Sequence, residues 1–114
     1  MKTLIIVFGF LCSVNIIAQT PIKIATFSVK GNCEQCKERI ENAADIKGVK
    51  NAVWNEDKQV ITVTYNADKV TLDQIEKAIA KSGHKTGNEK ADSVAYKALP
   101  ACCKYESANC KKKQ

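Results

Sequence analysis

Gln59-Val60-Ile61-Thr62-Val63-Thr64-Tyr65 is the stretch from which the rest of the chain can be placed. All of it except Gln59 is β-branched or aromatic, the side chains that fit a pleated, half-buried surface. It is the strongest strand signal in the sequence. Just before it, Glu56-Asp57-Lys58 is a tight polar turn, and Val49 to Asn55 reads as a partner strand, so the pair predicts a hairpin. Upstream of the hairpin, residues 34–45 place Cys36, Ile40, Ala43 and Ala44 on one face and Lys37, Arg39, Glu41 and Asn42 on the others, which is helical spacing. Asn32 with Gln35 has the form of a capping box at its start, and Lys47-Gly48 ends it. Downstream, Thr71 with Gln74 caps a second helix whose apolar stripe is Leu72, Ile75, Ala78 and Ile79, and Ser82-Gly83 stops it. At the outer ends, Ile22 to Val29 alternates apolar and polar residues as a strand does, and a short strand is expected near His84 to Thr86. The order is β-α-β-β-α-β. This predicts an α+β fold, the split βαβ sandwich of ferredoxin-like proteins.

Gly31-Asn32-Cys33-Glu34-Gln35-Cys36 falls where the first strand passes into the first helix. The first cysteine sits on the loop and the second in the first helical turn. Helix amides and the positive end of the helix dipole point at that place and favour thiolates. Two thiolates with no acid or imidazole in the motif suit a soft ion, Cu(I) first, with Hg(II), Ag(I) and Zn(II) as other occupants. A CxxC alone is a weak signal; its position in the first βα loop of this element order gives it weight. The Gly-containing approach to the CxxC, Lys47-Gly48-Val49, the Val60–Tyr65 strand and Ser82-Gly83-His84 resemble the heavy-metal-associated domain family over about residues 22–87. That family includes copper chaperones, amino-terminal modules of copper-transporting ATPases and the periplasmic mercury-binding protein. The resemblance implies that Cys33 and Cys36 bind the metal. It also shows two departures. Gly31 stands where the family commonly has a Met buried under the loop, and His84 replaces the usual aromatic residue. His84 reads either as a further ligand or as a partly exposed polar substitute for Tyr.

The chain of 114 residues divides as a leader over 1–18, a domain over 19–87 and an extension over 88–114. Met1-Lys2, the apolar run that begins at Leu4, and Ala18 before polar Gln19-Thr20 have the form of a secretory signal peptide, with cleavage after Ala18. Ser13 and Asn15 interrupt the run, so it does not read as a bilayer-spanning helix. Cys12 could serve as a lipid anchor, but Leu11 before it fits that signal poorly. The location expected is periplasmic or secreted, with no membrane span after cleavage. Loss of Lys2 leaves 17 Lys and Arg against 12 Asp and Glu, and three of those positive charges are the terminal Lys111, Lys112 and Lys113. A body so close to neutral gives no case for nucleic acid, which would need basic residues gathered on one face.

Five cysteines remain after the leader: Cys33, Cys36, Cys102, Cys103 and Cys110. An odd number cannot all pair within one chain. In the extension, Asp92 to Leu99 predicts a short helix that could dock Val94, Tyr96 and Leu99, after which Pro100 turns the chain into Cys102-Cys103. Vicinal cysteines rarely bond each other. Cys102 and Cys103 therefore read as extra sulfur for the metal at Cys33–Cys36, or as partners of Cys110 in a disulfide. Trp54, Phe27, Tyr65 and Tyr96 read as core or sheet packing. No acids sit at a spacing that suggests acid–base catalysis.

The functional expectation is an exported heavy-metal-binding protein, a metallochaperone or scavenger and not an enzyme. Its partners would be the metal ion and a metal-transporting ATPase or another envelope metal protein. The alternative is a thiol–disulfide oxidoreductase using the same CxxC. Against it, Asn32 stands where thioredoxin-like domains usually carry an aromatic, and no proline lies between Pro21 and Pro100 to face the motif.

Overall fold

The computed structural model describes residues 21–106. The leader, Cys12, Cys110 and the lysine tail lie outside the described residues. Strands β1 (Ile22–Ser28), β2 (Val49–Asn55) and β3 (Val60–Asn66) form one antiparallel sheet in the order β1-β3-β2. Helices α1 (Glu34–Ala44) and α2 (Leu72–Lys81) follow β1 and β3, and a short helix α3 (Ser93–Ala98) leads to a 3-10 turn at Ala101–Cys103. The strongest strand of the sequence is the central one, hydrogen-bonded on both sides. Its pleat decides the layers: Ile61, Val63 and Tyr65 are buried under the helices, while Thr62 faces out. Beneath them pack Cys36, Ile40 and Ala44 of α1 and Ile75 and Ile79 of α2. Each fully buried isoleucine stabilises the fold by roughly 1.5–3 kcal/mol, so Ile40, Ile61, Ile75 and Ile79 together outweigh the single capping box at Thr71–Gln74, worth about 1 kcal/mol. That box forms as the sequence implies, with Thr71 Oγ1 accepting from Gln74 N at 3.2 Å and Gln74 Oε1 accepting from Thr71 N at 3.0 Å.

Three sequence expectations are corrected. The fourth strand shrinks to one antiparallel bridge, Val29 opposite Thr86, flanked by Lys30 N donating to Lys85 O and Gly87 N donating to Ser28 O. The ladder stops there because Thr86 turns its hydrogen bonds onto Glu89. Its N–H donates to Glu89 O at 3.0 Å and its Oγ1 accepts from Glu89 N at 2.9 Å, so the chain leaves the sheet edge. Asn32 does not cap α1. Cys33 is the N-cap, without a side-chain cap bond, and Gln35 is engaged elsewhere. The helix also ends at Ala44, one residue earlier than expected, and Gly48 shapes the turn into β2 instead. At φ 98°, a Cβ on Gly48 would lie 2.9 Å from Lys69 Cβ and Val70 Cγ1.

Candidate metal centre

The loop between β1 and α1 is pinned by its backbone. Val29 N donates to Gln59 O, Lys30 N to Lys85 O and Gly31 N to Gln59 Oε1, at 2.9–3.0 Å. Gln59 holds a left-handed φ of 55°, which is uncommon for a residue with a side chain, and its Nε2 donates to Glu56 O at 2.8 Å. The hairpin turn and the approach to Cys33 are thus fastened by one residue. Under the loop lies the Trp54 ring, buried, with Nε1 donating to Val29 O at 3.0 Å. A Cβ on Gly31 would stand 3.0 Å from Trp54 Cη2 and Cζ2 and 3.1 Å from Cys36 Cβ. Trp54 therefore fills the space beneath the loop, and any side chain at position 31 would have to push the ring or Cys36 aside by a few tenths of an ångström.

On this platform Cys33 Sγ lies 3.3 Å from Cys36 Sγ. Two more sulfurs join them from the extension. Cys102 Sγ is 3.4 Å and Cys103 Sγ 3.7 Å from Cys33 Sγ, with 4.0 Å between the vicinal pair. The sulfurs of Cys33, Cys36 and Cys103 all lie within 4.8 Å of one another. Cys36 and Cys103 are wholly buried, Cys33 is half-exposed and Cys102 is exposed. The sulfur spacing bears on geometry. With metal–sulfur bonds of ~2.3 Å, a linear pair needs sulfurs ~4.6 Å apart and a trigonal set ~4.0 Å. The separations around Cys33 are shorter than both, so the sulfurs lie close enough to share one ion.

The thiols differ in acidity. Burial works against ionising Cys33, but the Cys36 N–H and the thiols of Cys36, Cys102 and Cys103 outweigh it and hold this thiol below its ordinary value. Burial pushes the Cys36 thiol up. It pushes Cys103 up strongly, and the neighbouring sulfurs of Cys36 and Cys33 add to that. A cluster with one ready thiolate and two reluctant, buried ones gains most from a cation that compensates the buried charge. Sulfur donors alone select a soft cation over a hard one.

His84 is not part of this cluster, and it is buried, not partly exposed as the Tyr-substitute reading had it. Its Nδ1–H donates to Lys30 O at 2.8 Å and its ring stacks on Tyr105, centroids 5.8 Å apart, while Nε2 has no hydrogen-bond partner among the described residues. Burial lowers its pKa, and the Arg39 charge adds to that against the Lys30 hydrogen bond, so the ring is neutral at pH 7. It holds the loop from the side opposite Gln59.

Sequence reasoning missed what positions Cys102 and Cys103. Leu99 is buried and Tyr96 half-buried, but Val94, expected to dock, is 76% exposed. Gly83, at φ 97°, lets α3 approach: a Cβ there would be 2.9 Å from the Ala95 carbonyl carbon and Tyr96 N. The main fastening is Tyr105. Its hydroxyl donates to Gly83 O at 3.0 Å and accepts from Lys85 N at 2.9 Å, and its ring meets Tyr96 edge-on at 5.1 Å. Burial pushes its pKa up to about 12, so the hydroxyl stays a donor. A tyrosine two residues after a vicinal cysteine pair was the only available signal. Tyr105→Ala is expected to raise the rate of Cys103 alkylation under native reducing conditions, followed by mass spectrometry. Leaving partly buried donors and acceptors unmatched costs about 1–3 kcal/mol, enough for about 5- to 160-fold more opening of the turn. An unchanged Cys103 rate would show that something else holds it.

The comparisons with known proteins agree with this geometry. The heavy-metal-associated domain model matches residues 26–85, and the chain belongs to that family. The copper chaperone CopZ of Staphylococcus epidermidis is 37% identical over 54 residues, covering 46% of this chain and 79% of the relative. Among solved structures, a CopZ metallochaperone superposes with a TM-score of 0.54 at 30% identity, over 56% of this chain and 98% of its own. The N-terminal domain of a potential copper-translocating P-type ATPase from Bacillus subtilis, solved loaded with Cu(I), gives 0.54 at 33% identity, over 57% and 84%. Oxidized MerP from Ralstonia metallidurans, 24% identical over 58% and 94% with a TM-score of 0.55, shares the fold. The chain is thus a heavy-metal-associated domain, similar to copper chaperones, with a cluster of cysteine sulfurs suited to a soft metal ion. The thiol–disulfide oxidoreductase alternative finds no support among these relatives. No described helix is long and apolar enough to cross a membrane.

Proposed function

We propose that this chain is an exported copper-binding protein that holds Cu(I) through Cys33, Cys36 and Cys103. The observation that carries the reading is the three-sulfur group, two of its members buried and none of its donors oxygen or nitrogen. Such a set suits d10 ions that prefer thiolate at low coordination. Copper, ahead of Hg(II), Ag(I) or Zn(II), is favoured by relatives named as copper chaperones and by a neighbour solved with Cu(I) bound. The third sulfur favours retention over rapid handover, hence scavenging or storage in the cell envelope, with a metal-transporting ATPase domain of similar fold as a recipient of the metal. Export rests on the Met1–Ala18 pattern. The test is to express the chain with its own amino terminus in a bacterial host. The envelope fraction is then recovered, the N-terminal mass determined, and the reduced protein loaded with Cu(I) for X-ray absorption spectroscopy. The expected result is a chain beginning at Gln19 with one copper bound by three sulfurs. Retention of Met1 in the cytoplasm would end the export reading, and preferential loading of Hg(II) or Zn(II) from an equimolar mixture would end the copper reading.

A further inference from the structure

We propose that Cys102 is the exchange thiol of this site, the residue through which the metal is received and released, while Cys103 retains it. The inference rests on the copper reading above and assigns different work to two adjacent cysteines. A 3-10 turn has about 3.0 residues per turn, so successive side chains diverge by about a third of a circle. Across Ala101–Cys103 this sends Cys103 inward, wholly buried, and Cys102 outward, exposed. Cys103 and Cys36 cannot meet a thiol from another molecule without displacement of the turn. Cys102 can, and it remains 3.4 Å from Cys33 Sγ, the one half-exposed member of the trio. Its thiol donates to Gln35 Oε1 at 3.1 Å, which holds it over the first turn of α1. The arrangement is a short path of sulfurs from solvent through Cys102 and Cys33 to Cys36 and Cys103.

The step balances as ligand exchange with no change in oxidation state. A donor thiolate arrives carrying Cu(I). The Cys102 sulfur bonds to the metal, the donor's sulfur–metal bond breaks, and the proton lost by Cys102 goes to the departing thiolate. Cys33, Cys36 and Cys103 then bond to the metal, each giving up its thiol proton; one of those protons returns to Cys102 as its bond to the metal breaks, and the other two pass to solvent. Release runs the sequence backward to an acceptor thiol. Thiol exchange rates depend on access of the attacking sulfur, so removal of Cys102 should change rates and not equilibrium.

The test compares the wild-type protein, Cys102→Ser and Cys103→Ser, all reduced. Equilibrium affinity is measured by competition with a chromophoric Cu(I) chelator, and loading from glutathione-bound Cu(I) is followed by stopped flow. For Cys102→Ser the expected result is an affinity within about twofold of wild type and loading slowed by about tenfold or more. For Cys103→Ser, affinity should fall by about tenfold or more with no slowing of loading. Equal loading rates for Cys102→Ser and wild type would overturn the proposal. So would an affinity loss in Cys102→Ser equal to that in Cys103→Ser, since Cys102 would then be a resident ligand. If wild-type protein fails to take Cu(I) in the equilibrium arm, the copper reading itself falls; that outcome is separate from a failure in the kinetic arm alone.

Discussion

Replacing Cys33 and Cys36 together by serine is expected to remove high-affinity Cu(I) binding while the domain stays folded. Cys33 Sγ lies 3.3, 3.4 and 3.7 Å from three other sulfurs, so its loss removes a member that contacts all the rest of the cluster. Changes in groups that merely orient metal ligands cost about 10–100-fold in affinity, and loss of two sulfurs of three should exceed that. Stability responds differently at the two positions. Cys33 is a half-exposed loop residue, whereas Cys36, on the apolar face of α1, is wholly buried and packs in the core cluster with Ile40 and Trp54. A serine hydroxyl in that place costs about 1–3 kcal/mol if it finds no partner, a visible part of the 5–15 kcal/mol typical of a domain. The Cys33→Ser single variant should show little of this loss. Chelator competition and thermal melts followed by circular dichroism check both statements. Unchanged affinity in the double variant would remove Cys33 and Cys36 from the site.

Local patterns carried the architecture. Alternation in Val60–Tyr65 placed the central strand, and the Thr71–Gln74 box fixed the start of α2, because each depends on residues within one turn or one strand of each other. The CxxC was legible for the same reason, and its place in the element order gave it meaning. What stayed hidden depends on contacts between distant segments. The fourth strand failed because Thr86 binds Glu89 in place of a longer ladder. Asn32 failed as a cap because Cys33 takes the N-cap position, and Gln35 accepts a hydrogen bond from a thiol 67 positions along the chain. The nearness of Cys103 to Cys33 depends on Tyr105 reaching Gly83 and Lys85, and no periodicity reports that. Gln59 looked like the polar end of a strand, yet its left-handed backbone and side chain tie the hairpin to the metal loop.

The pair Gly31 and Trp54 makes the same point with a measurable consequence. The family resemblance expects a buried Met two residues before the first motif cysteine, and glycine there suggests a looser loop. The structure supplies the missing volume from β2, where the Trp54 ring lies under the loop and donates to Val29 O at 3.0 Å. Trp54→Ala should cost about 3–5 kcal/mol through the cavity and lost packing, a large share of the domain's stability. Gly31→Met should also destabilise, by about 1–3 kcal/mol, because its Cβ would stand 3.0 Å from two ring carbons and 3.1 Å from Cys36 Cβ. Neither neighbour is the far end of a flexible chain, so the strain falls on the ring and on a motif cysteine. Combining Gly31→Met with Trp54→Leu refills the space from the loop side, and the double variant should be more stable than the sum of its single changes. Coupling of about 0.5–3 kcal/mol is usual for residues in contact. Urea titration of the four proteins measures it, and emission from Trp54, the only tryptophan, reports on the site in the Gly31→Met single variant. Additive costs would mean that the ring and the glycine do not share that space.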